Sequence, residues 1–340
     1  MFKVTEVLAQ YSIGQIQKVK ALTAGLIHQT FYIESDLNQE STAWILQQLH
    51  PKLSTLEIRT DYEHVTQYLS NAGYAGPKIV CTIDQSYYAQ DQKGTYWRLI
   101  TYVPGNTYES VDRLELVELG AKALAQFHTI IQDFPHPILS KHLGHNTTAH
   151  LNALQQVAAD PQYAQEWLII KEVAEKIIEE LPTCLLPSEI PRSIVHGDPK
   201  ISNIRFQNDT AIMIDLDTCN VHSRLVDLGD AIRSWCYIED AEEGDKFSIE
   251  RYKTLITAYR EYAPSFTELE LEYLPSCGRL ITLELASRFA KDYLEDYYFG
   301  FDQSKFASRK VHNKHAMHEM YSLAQEMKQA ENQLKEWLTK

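Results

Sequence analysis

The sequence predicts an α+β protein with two lobes, a small β-rich N-terminal lobe followed by a larger, mostly helical C-terminal lobe. Strand-like segments dominate the N-terminal part of the chain, and helical periodicity dominates the rest. Pro104-Gly105-Asn106 separates the two patterns and is typical of a turn. A chain of 340 residues is also long for one compact core. We therefore expect residues 1–103 to form the first lobe and residues 104–340 to form the second.

The first lobe is predicted to be a sheet with one helix. The helix is expected from Thr60 to Ala72, because Tyr62, Val65 and Leu69 share one face and Gly73 follows as a stop signal. Short runs rich in β-branched and aromatic residues predict the strands. These runs cover residues 18–22, 30–34, 43–49, 78–83 and 96–102.

The second lobe is predicted to consist mainly of helices. Leu114, Val117, Ala121 and Leu124 recur at intervals of three and four residues, which places them on the buried face of a helix that begins near Asp112. The same periodicity predicts further helices over residues 167–181, 248–262 and 267–297, and from residue 315 to the last residue.

Composition narrows the class of function. The net charge of −14, from 32 basic and 46 acidic residues, argues against nucleic-acid binding, which needs a basic face. The five cysteines are odd in number and lack C-x-x-C spacing, which argues against a zinc site or a disulfide framework. No signal-peptide pattern and no apolar run of roughly 20 residues occurs, so we expect a cytoplasmic protein without a membrane partner.

Two short apolar strands that each end in an acid carry the strongest functional signal. After the first strand comes an Asp, with a Lys two residues and an Asn five residues further on. The first Asp of the second strand follows twelve residues after that Asn, and another Asp comes two residues later. This is the spacing of a kinase catalytic loop and its metal-binding strand. The residues are His196, Asp198, Lys200 and Asn203 after the first strand, and Asp215 and Asp217 after the second.

Each of these polar residues can be given a role in phosphoryl transfer. Asp198 is the candidate base, since a carboxylate can accept the proton of an attacking hydroxyl. Lys200 is expected to reach the transferring phosphate and to offset its charge. Asn203 and Asp215 offer the hard oxygens that Mg²⁺ prefers, and a hairpin is expected to place them side by side. Asp217 is expected to bind the metal or to orient the loop, on the same face as Asp215 if the strand continues.

Three nearby residues are expected to support the catalytic loop. His196 is interpreted as a buried hydrogen-bonding residue, because Asp198 already fills the role of base. Asp227 and Asp230 are expected to cap the helix that follows or to brace the loop. An alternative is that His196, Asp198 and His222 bind the metal of a hydrolase, which would leave the neighbouring Lys and Asn without a role.

These motifs also carry a family resemblance, together with flanking stretches at residues 43–49, 214–218, 227–233 and 283–294. The chain resembles the aminoglycoside phosphotransferase and choline kinase superfamily, whose signature is H-G-D-x-x-x-x-N followed by I-D-x-D. Within it the chain is most similar to N-acetylhexosamine 1-kinases. The resemblance implies a protein-kinase-like fold, ATP as phosphoryl donor, Mg²⁺ as cofactor, and a small-molecule hydroxyl as acceptor. The expected acceptor is the anomeric hydroxyl of an N-acetylhexosamine or a related sugar.

The resemblance further implies which residues bind the nucleotide. Thr101 and Val103, just before the Pro-Gly turn, would present backbone groups to the base. The turn that contains Thr23 and Gly25 would cover the phosphates. This turn has only one glycine, so composition alone does not predict a phosphate cradle there.

One position departs from the pattern of a kinase. Gln47 stands where a lysine is expected on the third strand. Its amide can hydrogen-bond a phosphate but brings no charge. The ion pair that the lysine usually forms with an acid of the next helix, here Glu57 or Glu63, is therefore not expected. A nucleotide-binding pseudokinase is therefore an alternative to an active enzyme.

The acceptor site is predicted from one helix of the second lobe. Arg288 can recognise oxygens in a fixed fork, and the aromatic face of Tyr293 can stack on a sugar ring. The aromatic residues here are equally expected to pack the helix against its neighbours. Choline, homoserine and aminoglycosides are alternative acceptors. We expect a monomer or a homodimer.

Overall fold

The computed structural model describes residues 2–22, 28–37, 40–140 and 144–339 and confirms the α+β class with a small sheet lobe and a larger helical lobe. The sheet is antiparallel and has the strand order β1-β2-β3-β6-β4, with the short β5 paired to β6. Its strands are β1 (Gln15–Leu22), β2 (Gln29–Leu37), β3 (Glu40–Gln48), β4 (Ile79–Val80), β5 (Ala89–Gln90) and β6 (Tyr96–Thr101).

The two faces of this sheet have different neighbours. One face packs against helix α1 (Phe2–Leu8), and Leu46 and Trp97 are buried in that core. Because side chains alternate along a strand, Ile45 and Gln47 of β3 lie on the opposite face. That face looks toward the second lobe, where Ile45 packs against the main core.

Helix α2 (Leu56–Asn71) follows β3 and begins four residues before the predicted start. It begins early because the Thr55 side chain caps its N-terminus and accepts a hydrogen bond from the Ile58 N–H. Tyr62, Val65 and Leu69 are buried on one face, as the periodicity indicates.

The second lobe contains the predicted helices and two small antiparallel sheets of two strands each. Helix α4 is an addition to the prediction, and α9 begins at Arg309 because Ser308 caps it. None of the helices that the structure describes is long and apolar enough to cross a bilayer. The helices are α3 (Leu114–Ile131), α4 (Thr147–Ala158), α5 (Ala164–Glu180), α6 (Arg224–Trp235), α7 (Ile249–Tyr262), α8 (Glu268–Glu295) and α9 (Arg309–Leu338). One antiparallel sheet is the hairpin of β8 (Ile204–Gln207) and β9 (Thr210–Met213), and the other pairs β7 (Ser193–Val195), which precedes that hairpin, with β10 (Asn220–His222), which follows it.

The connection between the lobes is fixed to the β8–β9 hairpin. Asn106 and Phe206 exchange two backbone hydrogen bonds of 2.8 and 2.9 Å. Gly105 has a φ of +118°, and a Cβ there would lie 2.5 Å from the Phe206 carbonyl oxygen. Glycine is therefore required at this position, which is where the chain passes from the sheet to the helical lobe.

Candidate active site

The loop that carries Asp198 is held from beneath by one buried carboxylate. Strand β7 leads into the loop, and Asp227 of helix α6 accepts hydrogen bonds from the backbone N–H groups of His196 (2.6 Å) and Gly197 (2.8 Å). Its Oδ2 atom also lies 2.9 Å from Nε2 of the buried His128. The conformation of the loop is thus set by a carboxylate with no solvent exposure.

Helix α6 begins at Arg224, before both acids, so Asp227 and Asp230 lie inside the helix and neither is its N-cap residue. Ser223 is the N-cap residue and accepts a hydrogen bond from the Leu225 N–H. Of the two predicted roles, capping is therefore filled by Ser223, whereas Asp227 makes the bracing contacts described above.

His196 links the catalytic loop to the end of the β8–β9 hairpin. Its Nε2 atom lies 2.8 Å from the carbonyl oxygen of Ile214 and donates there, while its Nδ1 atom accepts a hydrogen bond from the Asp198 N–H at 3.4 Å, which is the pattern of a neutral ring. Burial lowers the pKa of His196, which also favours the neutral ring.

Asp198, Lys200 and Asn203 form one hydrogen-bonded group at the surface of the cleft. Lys200 Nζ lies 2.7 Å from Asp198 Oδ2. The side-chain amide of Asn203 donates to the Asp198 carbonyl oxygen (2.8 Å) and to its Oδ2 (3.0 Å), and the amide oxygen of Asn203 has no hydrogen-bonding partner among the residues that the structure describes. Burial would lower the pKa of Lys200, but the Asp198 carboxylate raises it, so this lysine is charged at neutral pH.

The hairpin places Asp215 beside Asn203. The Ile214 N–H donates to the Asn203 carbonyl oxygen at 2.9 Å. Asp215 has a φ of +64°, in the left-handed region, and strand β9 ends before it at Met213. The expectation that Asp215 and Asp217 share a strand face is therefore corrected: the backbone turns at Asp215, and Asp217 lies in a short 3₁₀ turn.

The carboxylate of Asp217 is already paired with a cation from the sheet. Arg98 of β6 donates to both of its oxygens, from Nη1 at 2.6 Å and from Nη2 at 2.5 Å. His28 at the start of β2 lies 3.6 Å from the same carboxylate. Burial alone would raise the pKa of Asp217, but Arg98 holds it below its ordinary value. These contacts support the orienting role for Asp217 and occupy the oxygens that a metal would need.

The remaining oxygens suit a magnesium ion. The Asp215 side chain is exposed to solvent. Desolvation by the neighbouring protein atoms, together with the nearby Asp217 and Asp198 carboxylates, raises the pKa of Asp215 to about 7. No basic side chain in the described ranges forms an ion pair with it, so a cation beside it would relieve the repulsion. Mg²⁺ takes few protein ligands and keeps water and phosphate oxygens, so Asp215 and the Asn203 amide oxygen fit it.

The predicted nucleotide residues are only partly described. Thr101 uses its N–H and side chain to bind Lys78, whereas the Val103 N–H makes no hydrogen bond to any residue that the structure describes. Gln47 lies on the cleft face of β3 and accepts a hydrogen bond from Arg98 Nε at 2.8 Å. Thr23 and Gly25 lie outside the described residues.

The two predicted acceptor residues point in different directions. Arg288 donates to the Tyr298 hydroxyl at 3.1 Å and remains partly exposed. Tyr293 is 7% exposed, belongs to the core between α8 and its neighbours, and lies near Lys310. The prediction that Tyr293 lines a pocket with Arg288 is therefore corrected, because five residues along a helix separate the two side chains by more than a third of a turn.

Helix α8 contributes a buried acid that sequence reasoning does not identify. Glu284 lies one turn before Arg288 and accepts hydrogen bonds from His145 Nδ1 (2.7 Å) and the Thr147 hydroxyl (2.5 Å). Gly144, the residue before His145, is close to the catalytic loop, since a Cβ there would lie 3.8 Å from the Gly197 carbonyl oxygen. This contact chain connects the Arg288 face of α8 to the loop that carries the candidate base.

Asp230 leaves one buried oxygen unpaired near the same loop. Its Oδ1 accepts a hydrogen bond from Arg233 Nε at 2.8 Å. Its Oδ2 has no hydrogen-bonding partner among the described residues, although the residue is only 3% exposed. It is close enough to Lys200 and His145 to influence both electrostatically. An unpaired buried oxygen beside a reactive loop is a candidate contact for a ligand.

Comparisons with known proteins agree with this geometry. The family model described as the phosphotransferase enzyme family matches residues 18–264. A homoserine kinase of Methylocella silvestris is 24% identical over 298 residues, which are 86% of this chain and 84% of that protein. Among solved structures, an amicoumacin kinase in complex with AMP-PNP and Ca²⁺ superposes with a TM-score of 0.66 at 16% identity, covering 97% of this chain and 92% of that one. A spectinomycin phosphotransferase in complex with ADP and spectinomycin superposes with a TM-score of 0.63 at 12% identity, covering 96% and 97%.

Proposed function

Because the chain belongs to the phosphotransferase enzyme family and is thus an ATP-dependent kinase of an alcohol group, we propose that it phosphorylates a small sugar, with Asp198 as base. Asp198 would accept the proton of the attacking hydroxyl. The new bond joins that oxygen to the γ-phosphorus, and the bond from the γ-phosphorus to the bridging oxygen breaks to release ADP. Lys200, which is charged and 2.7 Å from Asp198, would offset negative charge on the phosphoryl oxygens.

The meeting of Asp198, Asn203 and Asp215 in one hydrogen-bonded corner is the observation that supports this role for the site most directly. Asn203 contacts the base with its amide N–H, and its backbone carbonyl oxygen accepts a hydrogen bond from Ile214, the residue before Asp215. When bound there, Mg²⁺ would neutralise the phosphate oxygens of the donor. The Val103 N–H would donate a hydrogen bond to the nucleotide base, and Thr23, Gly25 and Gln47 would lie along the phosphates.

For the acceptor we propose the anomeric hydroxyl of an N-acetylhexosamine or a related sugar. Arg288 is partly exposed on the face of α8 that is linked through Glu284 to the catalytic loop. Its guanidinium lies 5.6 Å from the ring of Tyr298, a residue that is 57% exposed. A forked cation beside an exposed aromatic face suits a ring that carries several hydroxyls. The free Oδ2 of Asp230 would accept a hydrogen bond from one of these hydroxyls.

A second candidate acceptor is homoserine. It is favoured by the curated relative with that activity, which matches along most of both chains. Homoserine carries an ammonium and a carboxylate, so Asp230 would pair with the ammonium and Arg288 with the carboxylate. The same residues thus serve both candidates, and the acceptor must be decided by measurement.

The decisive experiment measures ADP release with ATP and Mg²⁺ over a panel of acceptors. The panel contains N-acetylhexosamines, simple hexoses, homoserine, choline and an aminoglycoside. We expect the highest kcat/KM with an N-acetylhexosamine; a clear preference for homoserine would overturn the sugar assignment but not the kinase. No turnover with any acceptor, despite Mg²⁺-dependent ATP binding, would favour the pseudokinase.

Two variants separate chemistry from binding. Asp198→Asn should lower kcat by about a hundredfold to ten-thousandfold while nucleotide affinity changes much less, because the proton acceptor is lost and the amide oxygen can still accept the hydrogen bond of Lys200. Asp209→Asn is the matched control, since this exposed acid lies in the turn of the adjacent hairpin. It should retain wild-type activity.

A further inference from the structure

The strand position that lacks a lysine has an arginine directly opposite it. In the pairing of β3 with β6, Gln47 is opposite Arg98, so both side chains lie on the cleft face of the sheet. Arg98 is 2% exposed, and its Nε donates to Gln47 Oε1 at 2.8 Å. The charge that Gln47 cannot provide is therefore present one strand away.

The guanidinium of Arg98 is held on every side. Its two terminal nitrogens form the bidentate pair with Asp217, which belongs to the second lobe. Its flat face lies 3.7 Å from the ring centre of Tyr62 on helix α2. Both the bidentate geometry and the stacking need an arginine and cannot be reproduced by a lysine. Arg98 thus contacts the sheet, helix α2 and the segment from Asp215 to Asp217 at the same time.

The acids of helix α2 are not part of this arrangement. Glu57 is exposed, and neither it nor Glu63 forms an ion pair within the described residues. In kinases generally, an ion pair between a strand lysine and a helix glutamate must be formed before phosphoryl transfer. Here the buried ion pair runs instead between the lobes, from Arg98 to Asp217.

We propose that Arg98 is a positioning residue which, by holding Asp217, fixes the Asp215–Asp217 segment against the sheet so that Mg²⁺ and the phosphates of ATP are bound by both lobes. The proposal rests on the proposed function of this site. Asp217 follows Asp215 by two residues in a tight turn, so an anchor on the second acid restricts the first. Arg98 also neutralises the charge of Asp217, one of three neighbouring carboxylates, and leaves the charge of Asp215 available to a cation.

The test measures binding and not turnover. The affinity for a non-hydrolysable ATP analogue is measured by calorimetry with and without Mg²⁺, and the free energy of unfolding is measured in urea. For Arg98→Gln we expect the Mg²⁺-dependent affinity to fall by about tenfold or more, because the bidentate pair that holds Asp217 is lost. The Mg²⁺ concentration at half-saturation should rise, and the affinity without Mg²⁺ should change less.

The matched control is Arg224→Gln, which removes another arginine, partly buried, that is bidentate to a carboxylate. Arg224 pairs with Glu270 at 2.7 and 2.9 Å, away from the cleft. The Arg224→Gln variant should be less stable than the wild type, while the Mg²⁺ dependence of its nucleotide affinity should be unchanged. This result would separate a positioning role from a general loss of stability.

Asp217→Asn gives an independent route if Arg98→Gln does not fold. It should weaken Mg²⁺-dependent binding to a similar degree, because the same anchor is lost. An unchanged Mg²⁺ titration in either folded variant overturns the inference and leaves the proposed function intact. Absence of Mg²⁺-dependent nucleotide binding in the wild type overturns both.

Discussion

Asp227 shows how one side chain can set the geometry of the reacting group without touching substrate. It has no solvent exposure and accepts hydrogen bonds from His196 N, Gly197 N and the His128 ring. Glycine is needed beside it, because Gly197 has a φ of +84° and a Cβ there would lie 2.3 Å from the Thr218 carbonyl oxygen. The loop is thus fixed by hydrogen bonds and by a close approach that only glycine allows.

Removing this carboxylate should cost both stability and activity. Asp227→Ala leaves two buried backbone N–H groups and the Nε2 atom of His128 without their partner, so the free energy of unfolding should fall by about 3–5 kcal/mol. Urea denaturation measures this change, and kcat should fall further than KM for ATP rises. Asp112→Asn, which changes an exposed acid before helix α3, is the control and should stay within about 0.5 kcal/mol of wild type. A loss at Asp227 no larger than this control would contradict the bracing role.

The residues that sequence alone identifies are those with local signals. Asp198, Lys200 and Asn203 lie within six positions of one another, and a short hairpin brings Asp215 to them. Arg98 has no such signal, because Asp217 is 119 residues away in the chain. His145 and Glu284, 139 residues apart, are missed for the same reason. Long-range ion pairs depend on how elements pack, which periodicity and spacing do not specify.

At the scale of elements, prediction succeeds for periodic segments and fails at their ends. Helices α3, α5, α7 and α8 and the long strands lie where apolar periodicity indicates. The strand before Asp215 ends early because this residue adopts a left-handed conformation, which Asp tolerates better than most residues. Helix α6 begins before Asp227 because the side chain of Ser223 caps its N-terminus. Each shift changes the position of an acidic residue within its element. The prediction that Asp217 shares a strand face with Asp215 is wrong because the end of one strand was misplaced.

The contact between helix α8 and the start of α4 should make stability depend on pH. Burial alone would lower the pKa of His145, but the Glu284 carboxylate raises it. Burial alone would raise the pKa of Glu284, but His145 lowers it to about 2. The histidine contribution is therefore complete below its unfolded pKa of about 6.5 and is lost as pH rises through the raised folded value. The glutamate contribution is present above about 4.3 and is lost as pH falls toward the folded value.

We therefore expect His145→Gln to destabilise the protein most at about pH 5.5, by about 3 kcal/mol, and clearly less at pH 9. Urea unfolding of wild type and variant at several pH values gives the difference curve. The exposed His315→Gln is the control and should give a small, flat difference. A His145→Gln difference that does not change between these pH values would show that the pair is not ionised as described.

At the scale of the whole molecule, the two lobes are joined at points that lie close to the reacting groups. The Arg98–Asp217 pair, the Gly105 connection and the hydroxyl of Tyr74 all meet the segment between β8 and the 3₁₀ turn after Asp215. Relative movement of the lobes would therefore act on the segment that carries Asp215, as well as on residues 139 and 140, whose N–H groups donate to Asp61 of α2. With the function proposed above, this arrangement would couple nucleotide binding in the first lobe to the position of Asp215 in the second.

Tyr74 provides a test of that coupling that changes a single atom. Its hydroxyl donates to the Met213 carbonyl oxygen (3.2 Å) and accepts from the Met213 N–H (3.0 Å), two residues before Asp215. Tyr74→Phe leaves both buried groups unpaired, so we expect a loss of about 1–3 kcal/mol in urea unfolding with an unchanged m-value. Because the end of β9 is loosened, Mg²⁺-dependent nucleotide affinity should also fall. Tyr262→Phe is the matched control, since this tyrosine is 44% exposed and its hydroxyl makes no hydrogen bond among the described residues. If Tyr74→Phe loses stability but keeps the wild-type Mg²⁺ titration, the lobes are joined there without any coupling to Asp215.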